Sequence, residues 1–173
     1  MGYIVLGLLI FIFDIMTKLI VELNMMDKSI PIIEGIFHLT YVENRGIAFG
    51  LFSDARILFI IISIVVLIGL AAVYSRIPNR TNWLKIGTSL IYGGAMGNLL
   101  ERMAKGYVVD FLDFRIINFP VFNFADVAVC VGAVMLVIHF FICDKKQAKA
   151  EKVEDESHEQ TDGVDSKQGA GEL

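Results

Sequence analysis

Four long apolar segments constrain this chain more than any other feature of its sequence. The clearest is 57–74, ILFIIISIVVLIGLAAVY, which contains no charged side chain. A helix crosses a bilayer with about 20 mostly apolar residues, and 3–23, 84–100 and 122–142 are close to that length. The segment 84–100 is the weakest because it is rich in glycine and polar residues. The pattern predicts a mainly α-helical membrane protein with four transmembrane helices.

Charges within and beside these segments indicate their orientation. The first segment contains Asp14, Lys18 and Glu22 and lacks a basic start or a cleavage site, so we interpret it as a retained anchor and not a signal peptide. Lysine and arginine mark cytoplasmic connections, and they collect between the second and third segments and after the fourth. Both termini should then be cytoplasmic, with the connections 24–56 and 101–121 outside.

The first 145 residues and the C-terminal residues 146–173 differ in composition. Residues 1–145 contain all four segments and form the predicted membrane domain. Residues 146–173 are acidic, contain almost no large apolar side chain and cannot bury enough surface to fold. We expect a disordered cytoplasmic tail that acts as a solubilising segment.

The outer connections predict short strands. Residues 24–56 and 106–121 hold short runs of apolar and β-branched residues between proline and glycine breaks. We expect them to pair into a small extracytoplasmic β-sheet, formed between helices 1 and 2 and before helix 4. Their aromatic side chains suit the membrane interface.

Unusual polar residues also collect near the predicted outer leaflet. Ionisable side chains in membrane segments are costly and usually face the protein interior or a wet cavity. Spacing places several of them on shared helix faces. The helical set is Asp14, Lys18 and Glu22, which share one face as possible ion pairs, with Asn98, Glu101, Arg102, Asn123 and Asp126, and Asn44, Arg45 and Asp110 lie in the connections.

Two carboxylates that approach closely in a partly dry site indicate a specific chemistry. They cannot both ionise cheaply, so one keeps a proton while the other stays charged. The charged one can draw a proton from water as the water attacks a carbonyl, and the protonated one can polarise that carbonyl and help the amine leave. This would be peptide hydrolysis without a serine, cysteine or metal. Carboxylate pairs also serve proton and ion pathways.

Some of these residues also have purely structural interpretations. Asp14 and Lys18 can form a structural ion pair, and Arg102 can be an interfacial anchor or a charge partner for an aspartate. The pattern Gly93-x-x-x-Gly97 is typical of close helix packing. Neither cysteine has metal-ligand spacing, so we expect no metal site.

An ordered series of motifs resembles the lipoprotein signal peptidases, also called signal peptidase II, over most of 10–135. DIMTK at 14–18 is similar to the family's D-x-x-T-K, and ENRGIAFG at 43–50 is similar to its N-x-G-A-A-F. GGAMGNLLERMAKGYVVDFLDF at 93–114 resembles G-G-A-x-G-N-L-x-D-R followed by G-x-V-V-D-F. FNFADVAVCVG at 122–132 resembles F-N-x-A-D with a following glycine.

By this resemblance the chain would be a four-helix membrane aspartyl protease with a small extracytoplasmic sheet. The family cuts the signal peptide from diacylglyceryl-modified prolipoproteins just before the lipidated cysteine. Its two catalytic aspartates match Asp110 and Asp126, whereas Asp113 matches a motif position outside that pair. Its supporting polar residues match Asn44, Asn98, Arg102, Asn123 and Asp14.

The resemblance also implies a setting and partners. The protein would be a multi-pass protein of the bacterial cytoplasmic (inner) membrane, with its site near the outer leaflet. Its partners would be lipid-modified prolipoproteins and membrane lipids, with no cofactor, no metal and no nucleic acid. The sequence indicates no oligomeric state.

Three positions depart from the family pattern. Glu101 stands where aspartate is usual, which keeps the charge but moves it by one methylene group. Arg45 and Ile47 stand where smaller residues are common, so the loop near the substrate would differ.

Two other classes of function use the same kinds of residue. A proton- or ion-coupled transporter would spread polar residues along a path through the bilayer. Here the segment 57–74 contains no charged residue, and the acids collect on one side of the predicted membrane. A non-catalytic assembly protein would use the acids as ion pairs. Presenilin-like proteases also use two aspartates, but the chain has no G-x-G-D stretch.

Overall fold

The structure, a computed structural model, contains four α-helices and three strands within the part of the chain that it describes. In chain order they are α1 (Gly2–Met25), β1 (Ser29–Ile33), β2 (Phe37–Asn44), α2 (Arg56–Arg76), α3 (Asn82–Ala104), β3 (Val108–Phe114) and α4 (Phe124–Cys143). The described residues are 2–26, 28–46, 56–78, 80–117 and 119–143. Ile47 and the predicted tail 146–173 lie outside them.

The chain divides into two compact units, Met1–Leu136 and Val137–Leu173. The described residues of the second unit are 137–143, the last part of α4. The strands, the first three helices and the start of α4 all belong to the first unit.

Three helices, α1, α2 and α4, are long and apolar enough to cross a membrane. They coincide with the predicted segments 3–23, 57–74 and 122–142. In the described part of the chain α3 does not join this set, because glycines and polar residues interrupt its apolar sequence. A fourth crossing therefore stays a prediction.

The helix α2 exposes apolar side chains over most of its length. Of its 21 residues only Leu67 is buried, and Ile57 and Ile68 are 71% and 65% exposed. Monomeric soluble proteins rarely expose an apolar surface of this extent, whereas a bilayer would cover it. The exposure agrees with the hydropathy of the sequence.

The helix α3 packs closely against two neighbours because glycines line its contact faces. A Cβ atom added at Gly93 would lie 2.5 Å from the carbonyl oxygen of Gly7 in α1. One added at Gly94 would lie 2.5 Å from the carbonyl oxygen of Ala125 in α4. Gly97 leaves room for a carboxylate of α1. The packing interpretation of Gly93-x-x-x-Gly97 is therefore confirmed.

The strands form an antiparallel sheet in the order β1-β2-β3, as predicted from the two connections. The sheet lies against the last turns of α1. Val21 and Met25 of that helix form a hydrophobic cluster with Val109, Phe111 and Leu112 of β3. Burial of these side chains holds β3 at this end of the helices.

The segment that follows β3 returns to the same strand before α4 begins. The carbonyl oxygen of Phe122 accepts hydrogen bonds from the backbone N–H groups of Phe111 at 3.0 Å and Leu112 at 2.8 Å. These bonds place the first turn of α4 beside the middle of β3.

Gly93→Ala should destabilise the protein, because its Cβ would press against the α1 backbone. Overpacking of this kind costs about 1–3 kcal/mol. Gly69→Ala is the matched control, since no atom lies within 4 Å of the added Cβ and alanine favours a helix. Thermal unfolding in one detergent should show a lower midpoint for Gly93→Ala alone. Equal midpoints for the two variants would contradict the close packing.

Candidate active site

Asp110 lies in the middle of β3 and is 2% exposed. Its two carboxylate oxygens accept hydrogen bonds from side-chain amides on different elements. Asn44 Nδ2, at the end of β2, donates to Oδ2 at 2.7 Å, and Asn123 Nδ2, just before α4, donates to Oδ1 at 2.6 Å. Both partners had been predicted as supporting residues from the resemblance.

Asp126 lies in the first turn of α4, where it forms a reciprocal cap with Asn123. Asn123 Oδ1 accepts from the Asp126 backbone N–H at 3.0 Å, and Asp126 Oδ2 accepts from the Asn123 backbone N–H at 3.2 Å. The other oxygen, Oδ1, accepts from Asn98 Nδ2 of α3 at 2.8 Å. The cap explains why the sequence places an asparagine three residues before this aspartate.

Two amides connect the aspartates to each other. Asn123 Nδ2 lies 2.6 Å from Asp110 Oδ1 and 3.3 Å from Asn98 Oδ1, and Asn98 in turn donates to Asp126. The two carboxyl groups, 16 positions apart in the chain, therefore share one hydrogen-bonded network.

The surroundings of Asp110 favour its protonated form. Burial, followed by the nearby charge of Asp126, raises the pKa of Asp110 to about 7, although the amides of Asn44 and Asn123 act in the opposite direction. An ordinary aspartate would be fully ionised at neutral pH. The surroundings of Asp110 thus shift its pKa towards neutral pH.

A buried ammonium group lies directly behind this network. Lys18 is 1% exposed, and its Nζ donates to Asn98 Oδ1 at 2.7 Å. It forms ion pairs with Asp14 at 2.7 Å and with Glu101 at 3.3 Å. Because an ammonium group can only donate, Lys18 requires the oxygen of Asn98 to face it, and Nδ2 then points at Asp126.

Asp14 also connects α1 to α4. Its Oδ1 accepts the backbone N–H of Ala125 at 2.9 Å, while its Oδ2 pairs with Lys18. The predicted Asp14–Lys18 pair is thus present. Glu22, which was predicted on the same face, pairs instead with Lys105, a residue that the sequence analysis did not single out.

Glu101 uses its length to reach three groups. Oε2 lies 3.3 Å from Lys18 and 3.2 Å from the backbone N–H of Val109, and Oε1 lies 3.1 Å from Lys105. The bond to Val109 holds the residue next to Asp110 in place. The extra methylene group therefore serves contacts between α3, α1 and β3.

The remaining predicted residues lie around the network. The Arg102 guanidinium lies 5.0 Å from the Phe59 ring centre, and its charge interacts with both aspartates without a direct ion pair among the described residues. Arg45 pairs with Glu43 at the surface.

Asp113 belongs to a separate set of contacts. Its Oδ2 accepts from Thr40 Oγ1 at 2.8 Å and from Arg115 Nε at 2.8 Å. Burial opposes ionisation, but the bonds from Arg115 and Thr40 lower the pKa of Asp113. The pKa values of Asp110 and Asp113, two residues of one strand, are thus shifted in opposite directions.

Comparison with known sequences identifies the family. The family model described as Signal peptidase (SPase) II matches residues 6–142. The chain belongs to the signal peptidase II family. This family is one of proteases, so the predicted resemblance is confirmed.

Individual signal peptidase II relatives are similar over nearly their whole length. The lipoprotein signal peptidase of Halothermothrix orenii is 47% identical, with 84% of this chain and 98% of that protein covered. That of Clostridioides difficile is 44% identical, with coverage of 84% and 99%. That of Brevibacillus brevis is 40% identical, with coverage of 84% and 99%.

Two solved structures share the fold of this signal peptidase II chain. Both are described as bacterial membrane enzymes determined by the in meso method, at 2.3 Å and 1.9 Å resolution. Each superposes with a TM-score of 0.73, at 30% and 32% identity. They cover 81% and 80% of this chain and 87% and 92% of their own chains.

Glu101→Gln should lower stability markedly, because it leaves the buried Lys18 ammonium with one carboxylate in place of two. Loss of one partner from a buried ion pair costs on the order of 3 kcal/mol. Glu43→Gln makes the same chemical change in an exposed pair, where the loss should be below about 1 kcal/mol. Thermal unfolding of both variants provides the comparison. A Glu101→Gln midpoint equal to that of Glu43→Gln would show that the buried pair contributes nothing.

Proposed function

We propose that the chain is a membrane aspartyl endopeptidase that removes the signal peptide from diacylglyceryl-modified prolipoproteins, with cleavage just before the lipidated cysteine. The observation that carries this proposal is the network in which Asn98 and Asn123 connect Asp110 to Asp126. The relatives named lipoprotein signal peptidase support the substrate class.

The proposed mechanism divides proton transfer between the two aspartates. The ionised carboxylate accepts a proton from water as the water oxygen attacks the scissile carbonyl. The protonated carboxyl polarises the carbonyl oxygen and later supplies a proton to the departing amine. The proton belongs to the pair and not permanently to either member, so no fixed role is assigned to Asp110 or Asp126.

The three amides would serve as positioning groups in this mechanism. Asn44 and Asn123 donate to Asp110, and Asn98 donates to Asp126, so each carboxyl keeps a defined orientation while its charge changes. Arg102, whose charge interacts with both aspartates, would stabilise negative charge as it develops.

The proposed setting is the bacterial cytoplasmic membrane with four crossings. The 23 residues of α3 extend for about 34 Å, enough for a hydrocarbon core of about 30 Å. Its glycines and polar groups pack against other helices and would not face lipid. Both termini would be cytoplasmic, and the sheet and aspartates would lie at the outer leaflet, where a lipidated cysteine resides.

The transporter alternative receives less support from the same geometry. The buried acids Asp14, Glu101 and Asp110 and the buried Lys18 gather at the end of the helices next to the sheet. A continuous polar path through the described helices would require similar groups near the opposite end of α1 and along α2.

Replacing either aspartate of the network by asparagine should abolish processing of a purified lipidated precursor while the protein stays folded. Asparagine is nearly isosteric but cannot exchange the catalytic proton, and such losses reach at least about a hundredfold. Asp113→Asn is the matched control on the same strand, since Asp113 contacts Thr40 and Arg115 and not the network. Precursor shortening on gels measures the rate. Wild-type rates for Asp110→Asn and Asp126→Asn would exclude the proposed mechanism.

The rate should also fall as pH rises through about 7, where Asp110 loses its proton. Below that pH the pair holds a proton that it can donate to the leaving amine, whereas above it that proton is lost. Measurement of kcat/KM from pH 5 to 9 should therefore show an alkaline decline, with the same midpoint in Asp113→Asn. A rate that stays constant up to pH 9 would be inconsistent with a shared proton.

A further inference from the structure

A cavity lies away from the aspartates, between α1, α2 and α3. Its volume is about 520 Å³, within the range of small-ligand sites. Its lining is mostly apolar and includes Phe11 of α1, Ala71 and Tyr74 of α2, and Met96 of α3. It occupies the part of the helices farther from the sheet, where the distribution of lysine and arginine predicts the cytoplasmic side.

Lys85 and Thr88 of α3 are among the polar side chains that line this mostly apolar cavity. The Thr88 hydroxyl is buried, with the residue 9% exposed, and it has no hydrogen-bond partner among the described residues. Lys85 lies one turn earlier on the same face, with its Nζ 5.4 Å from the centre of the Tyr3 ring. Within the described residues Lys85 forms no ion pair with an acid.

A buried hydroxyl without a partner is costly, and this cost points to a ligand. Leaving such a group without a hydrogen-bond partner destabilises the folded protein by about 1–3 kcal/mol. A ligand for this cavity would carry an acceptor opposite Thr88, a negative charge opposite Lys85 and an apolar portion beyond them. Lys85 and Thr88 are separated by about 4.5 Å along the helix axis.

We infer that the cavity binds one anionic phospholipid of the cytoplasmic leaflet. The phosphate would pair with Lys85 at the membrane surface, and an ester carbonyl, which lies deeper than the phosphate, would accept from Thr88. One acyl chain would continue along the apolar lining towards Met96. Charge decides against the other apolar occupant, a signal-peptide helix, because signal peptides carry basic residues at this same side of the membrane.

The test is native mass spectrometry of the full chain in detergent with equal amounts of phosphatidylglycerol and phosphatidylcholine. The wild type should retain one phosphatidylglycerol in preference to phosphatidylcholine. Lys85→Gln should weaken phosphatidylglycerol retention about fivefold, since one basic residue near an anionic group contributes about that much. Arg76→Gln is the matched control. It removes a positive charge from the last residue of α2, on the predicted cytoplasmic side but outside the cavity lining, and should have no effect on the bound lipid.

Three further variants separate a built site from general attraction to a basic surface. Thr88→Val should weaken retention of both lipids about fivefold, the effect of one hydrogen bond. Ala71→Phe should fill the cavity and abolish retention, whereas Ala72→Phe, one position along and outside the lining, should preserve it.

Three results would overturn the inference. They are equal retention of the two lipids, retention that Lys85→Gln and Ala71→Phe leave unchanged, and displacement of the lipid by an apolar signal-sequence peptide. The readout is lipid mass and not proteolysis. Loss of the proposed peptidase activity would therefore not affect the inference of lipid binding, and a failure to bind lipid would not affect the proposed peptidase activity.

Discussion

The burial of Asp110 beside Asp126 is the constraint on which the rest of the structure depends. A buried carboxylate needs donors on both oxygens, and a second carboxylate nearby adds repulsion. Three asparagines supply those donors, and each has its amide orientation set by another group. Lys18 fixes Asn98, and the backbone N–H of Asp126 fixes Asn123. The backbone N–H of Gly46 fixes Asn44 in the same way, at 3.1 Å.

The packing of the helices follows from the same requirement. Lys18 reaches Asn98 only if α1 and α3 approach closely, and the glycines at 93 and 97 permit that approach. Asp14 then bonds the backbone at the start of α4, and Glu101 bonds the backbone of β3. Four elements are thereby joined through one ammonium group and its two carboxylates. A buried ion pair of this kind favours a specific arrangement more than it adds stability.

Features that depend on local sequence were predicted well, and those that depend on tertiary contacts were not. Hydropathy located α1, α2 and α4, turn residues and short apolar runs located the sheet, and Gly93-x-x-x-Gly97 indicated packing. The motifs indicated which polar residues belong together. Nothing local could show that Lys105 pairs with Glu22, 83 positions away, or that Glu101 bonds a strand. The orientations of the amides likewise arise only when the elements meet.

Infrared spectroscopy of the purified protein is the most direct test of the shared proton, because protonated and ionised carboxyl groups absorb at different frequencies. The wild type near pH 6 should show a protonated-carboxyl band that is missing from Asp110→Asn, and the band should vanish as pH rises through about 7. Identical protonated-carboxyl absorption in the wild type and Asp110→Asn near pH 6 would contradict the account.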